Sequence, residues 1–219
     1  MKRAQYKDEE YFGEYIMTQK ERIEKFTKVL NNLDKQDEDK ITQCKCYLSG
    51  FYLDLINAKY SLGLQKDEII SDVNELFNYV CEIGSYKDMI HYLSLAIVFD
   101  IDKKRLNNIL QCEIYDDKLV YQLKEYIFGD NKKSNNTCLK YPDHYKPFYD
   151  FIDKTIKTSE FVKFMDNQWY DTCKDYSFYD SHKNDKKTYT GYWCWLAAAI
   201  IKIKSINDVA GKYIPVDVI

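Results

Sequence analysis

At 219 residues, with 32 basic and 35 acidic side chains, the chain is long enough for one large domain or two small ones. The formal net charge of −3 is nearly even along its length, 16 basic and 19 acidic residues up to position 110 and 16 of each after it. That pattern offers no basic stripe for direct nucleic-acid binding, and no apolar run approaches the roughly 20 residues that cross a bilayer. Seven cysteines, an odd number behind a charged N-terminus without a secretory signal, read as reduced thiols in a cytoplasmic protein.

Only 7 Gly and 3 Pro interrupt the chain, which favours long helices with short connections. Across residues 9–33, Tyr11, Phe12, Tyr15, Ile16, Ile23, Phe26, Val29 and Leu30 recur at steps of three and four, the period of an amphipathic helix. A second helix is expected over 41–62, with Gly63 placed for a C-terminal cap, and a third over 66–83. The strongly apolar stretch 86–99 reads as a fourth, followed by pieces over 102–111 and 116–128, the latter stopped by Gly129. Residues 131–144, rich in Asn and Lys, form the one candidate linker, dividing 1–130 from 145–219 unless both regions close into one compact unit. Two shorter helices are expected over 145–157 and 159–170. The ten apolar residues from Tyr192 to Ile201 then make a helix that is hydrophobic all round and therefore central. No useful period-2 pattern appears, so the fold class is all-α, a multi-helix bundle around a buried C-terminal helix.

Candidate chemistry is sparse. Cys44 and Cys46 form the only close cysteine pair, and His91, His144 and His182 are far apart in sequence, so no metal site and no cofactor are expected. The one enzymatic alternative is a Cys–His hydrolase with Cys194 as nucleophile, His182 as base and Asp180 orienting it. Against it stands the position of Cys194 between Trp193 and Trp195 in the most apolar run, where burial raises a thiol pKa. A helical adaptor without catalysis is the other alternative. The 21 tyrosines fit either a lysine-, asparagine- and tyrosine-rich codon bias or a recognition surface. In the connector 171–190, carboxylates alternate with Tyr, Phe, His and Lys, the composition of a partner-binding loop or of an internal polar network.

The residues Trp169-Tyr170, Asp180-x-His182-Lys183, Tyr189-x-Gly191-Tyr192-Trp193 and Ala197-Ala198-Ala199 with Lys202-Ile203 appear in an order that resembles the C-terminal domain of the PoNi family. These are the immunity proteins of polymorphic nuclease toxins. The ending Ile206-Asn207-Asp208, then Tyr213-Ile214-Pro215-Val216-Asp217, is similar to the family's closing motif. Lys7-Asp8-Glu9-Glu10-Tyr11-Phe12, Arg22-Ile23 and Tyr60-Ser61-Leu62-Gly63 are similar to its N-terminal domain. Leu196 departs from the pattern where a glutamate is expected, and Ile214 and Val216 stand in place of aromatics. The resemblance implies a cytoplasmic, non-catalytic protein that binds and blocks a cognate nuclease toxin, usually a DNase. It also implies that Trp169, Tyr170, His182, Tyr189, Gly191, Tyr192, Trp193, Pro215 and Asp217 hold the fold. The expected toxin-facing set is Asp171, Asp175, Tyr176, Tyr179, Asp180 and Asp185.

Overall fold

The computed structural model describes residues 2–129 and 138–219, and among these the protein is all-α, with no strand. Packing divides the chain into two compact units. The first comprises Met1–Glu82 with Asp180–Tyr192, and the second Ile83–Tyr179 with Trp193–Ile219. Packing changes after Glu82, and a late segment returns to the first unit. Of the expected linker, residues 131–137 lie outside the described residues. Pro142 already opens a helix within it, since proline at the first helical turn needs no N–H partner.

In the first unit, α1 (Glu9–Asn32) and α2 (Glu38–Leu62) form a hairpin, and α3 (Lys66–Tyr79) packs on α2. Asp8 caps α1 by accepting from the Tyr11 N–H, beside the acidic first turn of Glu9 and Glu10, which suits the helix dipole. Phe12, Tyr15, Ile16 and Gln19 bury the N-terminal half of α1. Gly63, at φ 105°, ends α2 in the left-handed conformation that a side chain would strain. Arg3 ties the N-terminus to that end, donating to the Tyr60 and Leu64 carbonyls at 3.0 and 2.7 Å. The third helix stops at Tyr79, four residues before its expected end; Val80 is extended and leaves the helix.

In the second unit, α4 (Tyr86–Val98) is followed by a 3-10 turn, Lys103–Leu106, and by α5 (Asn107–Gln111), where one continuous helix was expected. Asp102 caps that turn through the Lys104 N–H. Then come α6 (Lys118–Phe128), α7 (Pro142–Ile152) and α8 (Thr158–Phe164). The last continues through a π-helical turn, Met165–Trp169, into the short α9 (Tyr170–Thr172). Finally, α10 (Trp195–Ile203) lies against α4, and every residue from Trp195 to Ile201 is buried, so it is central as its composition predicts. It starts three residues later than expected. Gly191 takes φ 104°, and the Cys194 N–H donates to the Tyr213 carbonyl at 2.8 Å, holding the preceding segment outside the helix. Ala197, Ala198 and Ala199 are fully buried and let the helices approach closely.

Candidate functional site

The motif residues of the first unit form an aromatic clamp. The His182 ring stacks on Tyr6 with centroids 3.9 Å apart, and its Nδ1 lies 2.6 Å from the Tyr192 hydroxyl. Tyr189 stands edge-on to Tyr192 at 4.9 Å. The Tyr11 hydroxyl of α1 accepts from the Tyr189 N–H and donates to its carbonyl, both at 3.0 Å. Ser61 donates to the Thr190 carbonyl at 2.6 Å, and Lys187 pairs with Glu14. Residues 180–192, devoid of helix except for a 3-10 turn at Ser181–Lys183, are thus fastened onto α1 and α2 by groups that the sequence separates by more than a hundred positions. Burial lowers the His182 pKa, which keeps the imidazole neutral and suited to its hydroxyl partner.

In the second unit, Tyr170 lies between Tyr179 at 4.6 Å and Tyr213 at 5.8 Å, both rings nearly parallel to it, and buried Trp169 approaches Tyr213 at 5.1 Å. Pro215 and Ile214 are buried, Val216 is half-buried and Asp217 exposed. Leu196 is 5% exposed, so the leucine fills apolar space where the family pattern has a carboxylate. Trp193 is half-buried.

The six connector residues expected to face a partner are divided between the units: Asp171, Asp175, Tyr176 and Tyr179 in the second, Asp180 and Asp185 in the first. Asp171 is exposed beside Lys174 and the Tyr179 hydroxyl. Tyr176 is half-buried, its hydroxyl 3.4 Å from that of Tyr145 and its ring 4.0 Å below the Lys87 ammonium. Asp180, at φ 56°, pairs with Lys183 at 2.8 Å. Asp175 and Asp185 are exposed. Tyr176 and Tyr179 thus have ring or hydroxyl partners within the second unit, while Asp171, Asp175 and Asp185 face solvent.

Burial pushes the Cys194 thiol pKa up, and pushes that of Cys173 up to about 12. Such thiols are poor nucleophiles at neutral pH. His182, the base of the hydrolase alternative, is engaged with Tyr192 and Tyr6 in the first unit, whereas Cys194 belongs to the second. Among the described residues no group of three or more His, Cys, Asp or Glu could hold a metal ion, and no helix is long and apolar enough to cross a membrane.

Sequence reasoning passed over two buried polar centres of the second unit. Asp117, 1% exposed, caps α6 by accepting from the Leu119 and Val120 N–H groups, and also accepts from the Tyr86 hydroxyl at 2.8 Å and the Lys140 N–H. His91 on α4 has a buried Nε2 without a hydrogen-bonding partner among the described residues; desolvation, reinforced by Lys87, depresses its pKa to about 4. Above the ordinary value of 6.5, folded and unfolded forms are both neutral there. As pH falls from 6.5 toward 4, only the unfolded chain takes the proton, and stability is lost by up to about 3 kcal/mol. His91→Phe is expected to flatten the stability profile over that window, measured by urea unfolding at pH 7, 5.5 and 4.5; an unchanged slope would contradict the assignment.

The fold and the placement of these residues define, among the described residues, an all-helical protein. Models of two consecutive family domains match the chain: "PoNe immunity protein (PoNi), N-terminal" over residues 3–111, and "PoNe immunity proteins (PoNi), C-terminal" over residues 115–216. The chain belongs to the PoNe immunity protein (PoNi) family and is a nuclease-toxin immunity protein. No curated protein and no solved structure matched it.

Proposed function

We propose that the protein acts in the cytoplasm by binding the nuclease domain of a cognate secreted toxin and covering its active site, and that this toxin is a DNase. The observation that carries the reading is the succession of both family domains, which leaves few residues of the chain unaccounted for. The physics supports it. A nuclease site is built to hold phosphates, so a partner that offers carboxylates to its cations competes directly with the nucleic acid. An inhibitor of this kind needs no catalytic group of its own, only a complementary face of about 800 Å².

The test is co-expression with a candidate nuclease toxin domain. Cells making the toxin domain alone are expected to die, and those making both to survive. In vitro, one equivalent of the purified chain is expected to stop cleavage of DNA. Undiminished cleavage in the presence of excess chain would refute the reading, and inhibition confined to RNA cleavage would replace the DNase assignment.

A further inference from the structure

The first unit carries the whole charge imbalance, 15 basic against 18 acidic residues, while the second is even at 17 of each. Within the first unit the carboxylates are unevenly placed. Residues 67–86 contain five acids and no Lys or Arg. Glu68, Asp72, Glu75 and Tyr79 recur on α3 at i, i+4, i+7 and i+11, which sets them in one row along the helix, and Glu82 follows just past its end. Glu68, Glu75 and Glu82 are exposed, and Asp72 and Tyr79 half-buried.

Helix physics does not explain this row. Glu68 is accounted for, since it returns to the Gln65 N–H at 2.8 Å as the acid of a capping box. Asp72 pairs with Lys59. Glu68–Asp72 and Asp72–Glu75, however, are like-charge neighbours at i,i+4 and i,i+3, an unfavourable spacing. Glu75 and Glu82 stand at the C-terminal end of a helix with no basic residue in its last turn, the wrong end for negative charge. Other acidic stretches of the unit do have local reasons: Asp8, Glu9 and Glu10 cap α1, and Asp34–Asp39 alternate with Lys35 and Lys40. The row is flanked by an aromatic pair, Tyr79 stacked on Tyr52 with centroids 5.6 Å apart. Burial first, then Tyr79, Glu75 and Asp72, push the Tyr52 phenol up to about 12, so the field of the row reaches the pair.

We infer that this ridge of α3, with Glu75 and Glu82 as its charges and Tyr79 as its aromatic contact, is the surface that receives the phosphate-binding Lys and Arg side chains of the nuclease. The inference rests on the immunity reading above and names the surface it uses. A nucleic-acid-cleaving domain must present cations, and the exposed carboxylates of the ridge, Glu75 and Glu82, offer them a face of like charge. An aromatic beside a charged row is also the usual make-up of an interface anchor.

The decisive variant is the full chain carrying Glu75→Lys and Glu82→Lys, titrated against the nuclease domain by calorimetry at low and high salt. Affinity is expected to fall about 100-fold, with a flatter salt dependence. The melting temperature of the free variant is expected to stay level or rise, because lysines suit that end of the helix. Glu75→Gln with Glu82→Gln, which keeps the shape, is expected to lose about tenfold. Asp175→Lys with Asp185→Lys serves as the connector comparison and is expected to bind within about threefold of the unaltered chain. Binding by the ridge variants within threefold of the unaltered chain overturns the inference while leaving immunity by binding intact, as does a loss seen only in the connector variant. Failure of the unaltered chain to bind the nuclease overturns both.

Discussion

Asp117→Ala is expected to destabilise the protein by about 3–5 kcal/mol, a large part of the 5–15 kcal/mol that holds a typical domain folded. The carboxylate is 1% exposed and accepts four hydrogen bonds, from the Leu119 and Val120 N–H groups, the Tyr86 hydroxyl and the Lys140 N–H. Loss of an N-cap alone costs roughly 1 kcal/mol. Here the alanine also strands buried donors on α4 and α6, each costing a further ~1–3 kcal/mol, while the Lys140 N–H, on an exposed residue, can turn to water. Asp117→Asn keeps one acceptor oxygen at the same place and is expected to lose less than half as much. Urea unfolding measures both, and a loss below about 1 kcal/mol for the alanine variant would show that the hub is replaceable by water.

Phe161→Ala is expected to cost a similar ~3–5 kcal/mol, through a cavity where α8 meets α7. The ring is fully buried, lies 4.1 Å from that of Phe151 at an interplanar angle of 9°, and meets Phe148 edge-on at 5.6 Å. Such paired rings add about 0.5–1.5 kcal/mol beyond the buried area itself. Phe161→Leu, which refills most of the volume, is expected to recover at least half of the loss in thermal and denaturant melts. Equal melting of the alanine variant and the unaltered chain would mean that α7 and α8 close over the gap.

These two sites differ in how far the sequence announces them. Phe161 sits in an apolar pattern of helical period, and a helix over that stretch with its aromatic side turned inward follows from spacing alone. Asp117 looks like one more surface acid, because its depth depends on Tyr86 and Lys140, which lie 31 positions before it and 23 after it. The same holds for the motif residues. That His182, Tyr189 and Tyr192 matter is visible in their resemblance to a family pattern. That they fasten a return segment to Tyr11 and Tyr6 is not, since the partners are some 180 residues away. Asp171, Asp175, Tyr176, Tyr179, Asp180 and Asp185 are contiguous in sequence, yet they part between two packing units after Tyr179. On α3 the apolar stripe of Ile69, Ile70, Val73, Leu76, Phe77 and Val80 was legible as spacing, whereas the row of acids beside it was not singled out. Only the α2–α3 packing shows that Asp72 meets a cation, Lys59.

By itself the sequence determined the all-α class, most helix starts and stops, the central place of the Trp195–Ile201 stretch and the family. The family follows from the resemblance of its motifs; the others follow from apolar periodicity, caps and scarce Gly and Pro, which act over a few neighbouring residues. The tertiary structure alone decided which chain segments pack together and which acid is buried. It also decided where the last helix begins, because the Tyr213 carbonyl claims the Cys194 N–H. Each of those outcomes is set by hydrogen bonds and ring contacts between residues distant in the chain, and local pattern carries no trace of a distant partner.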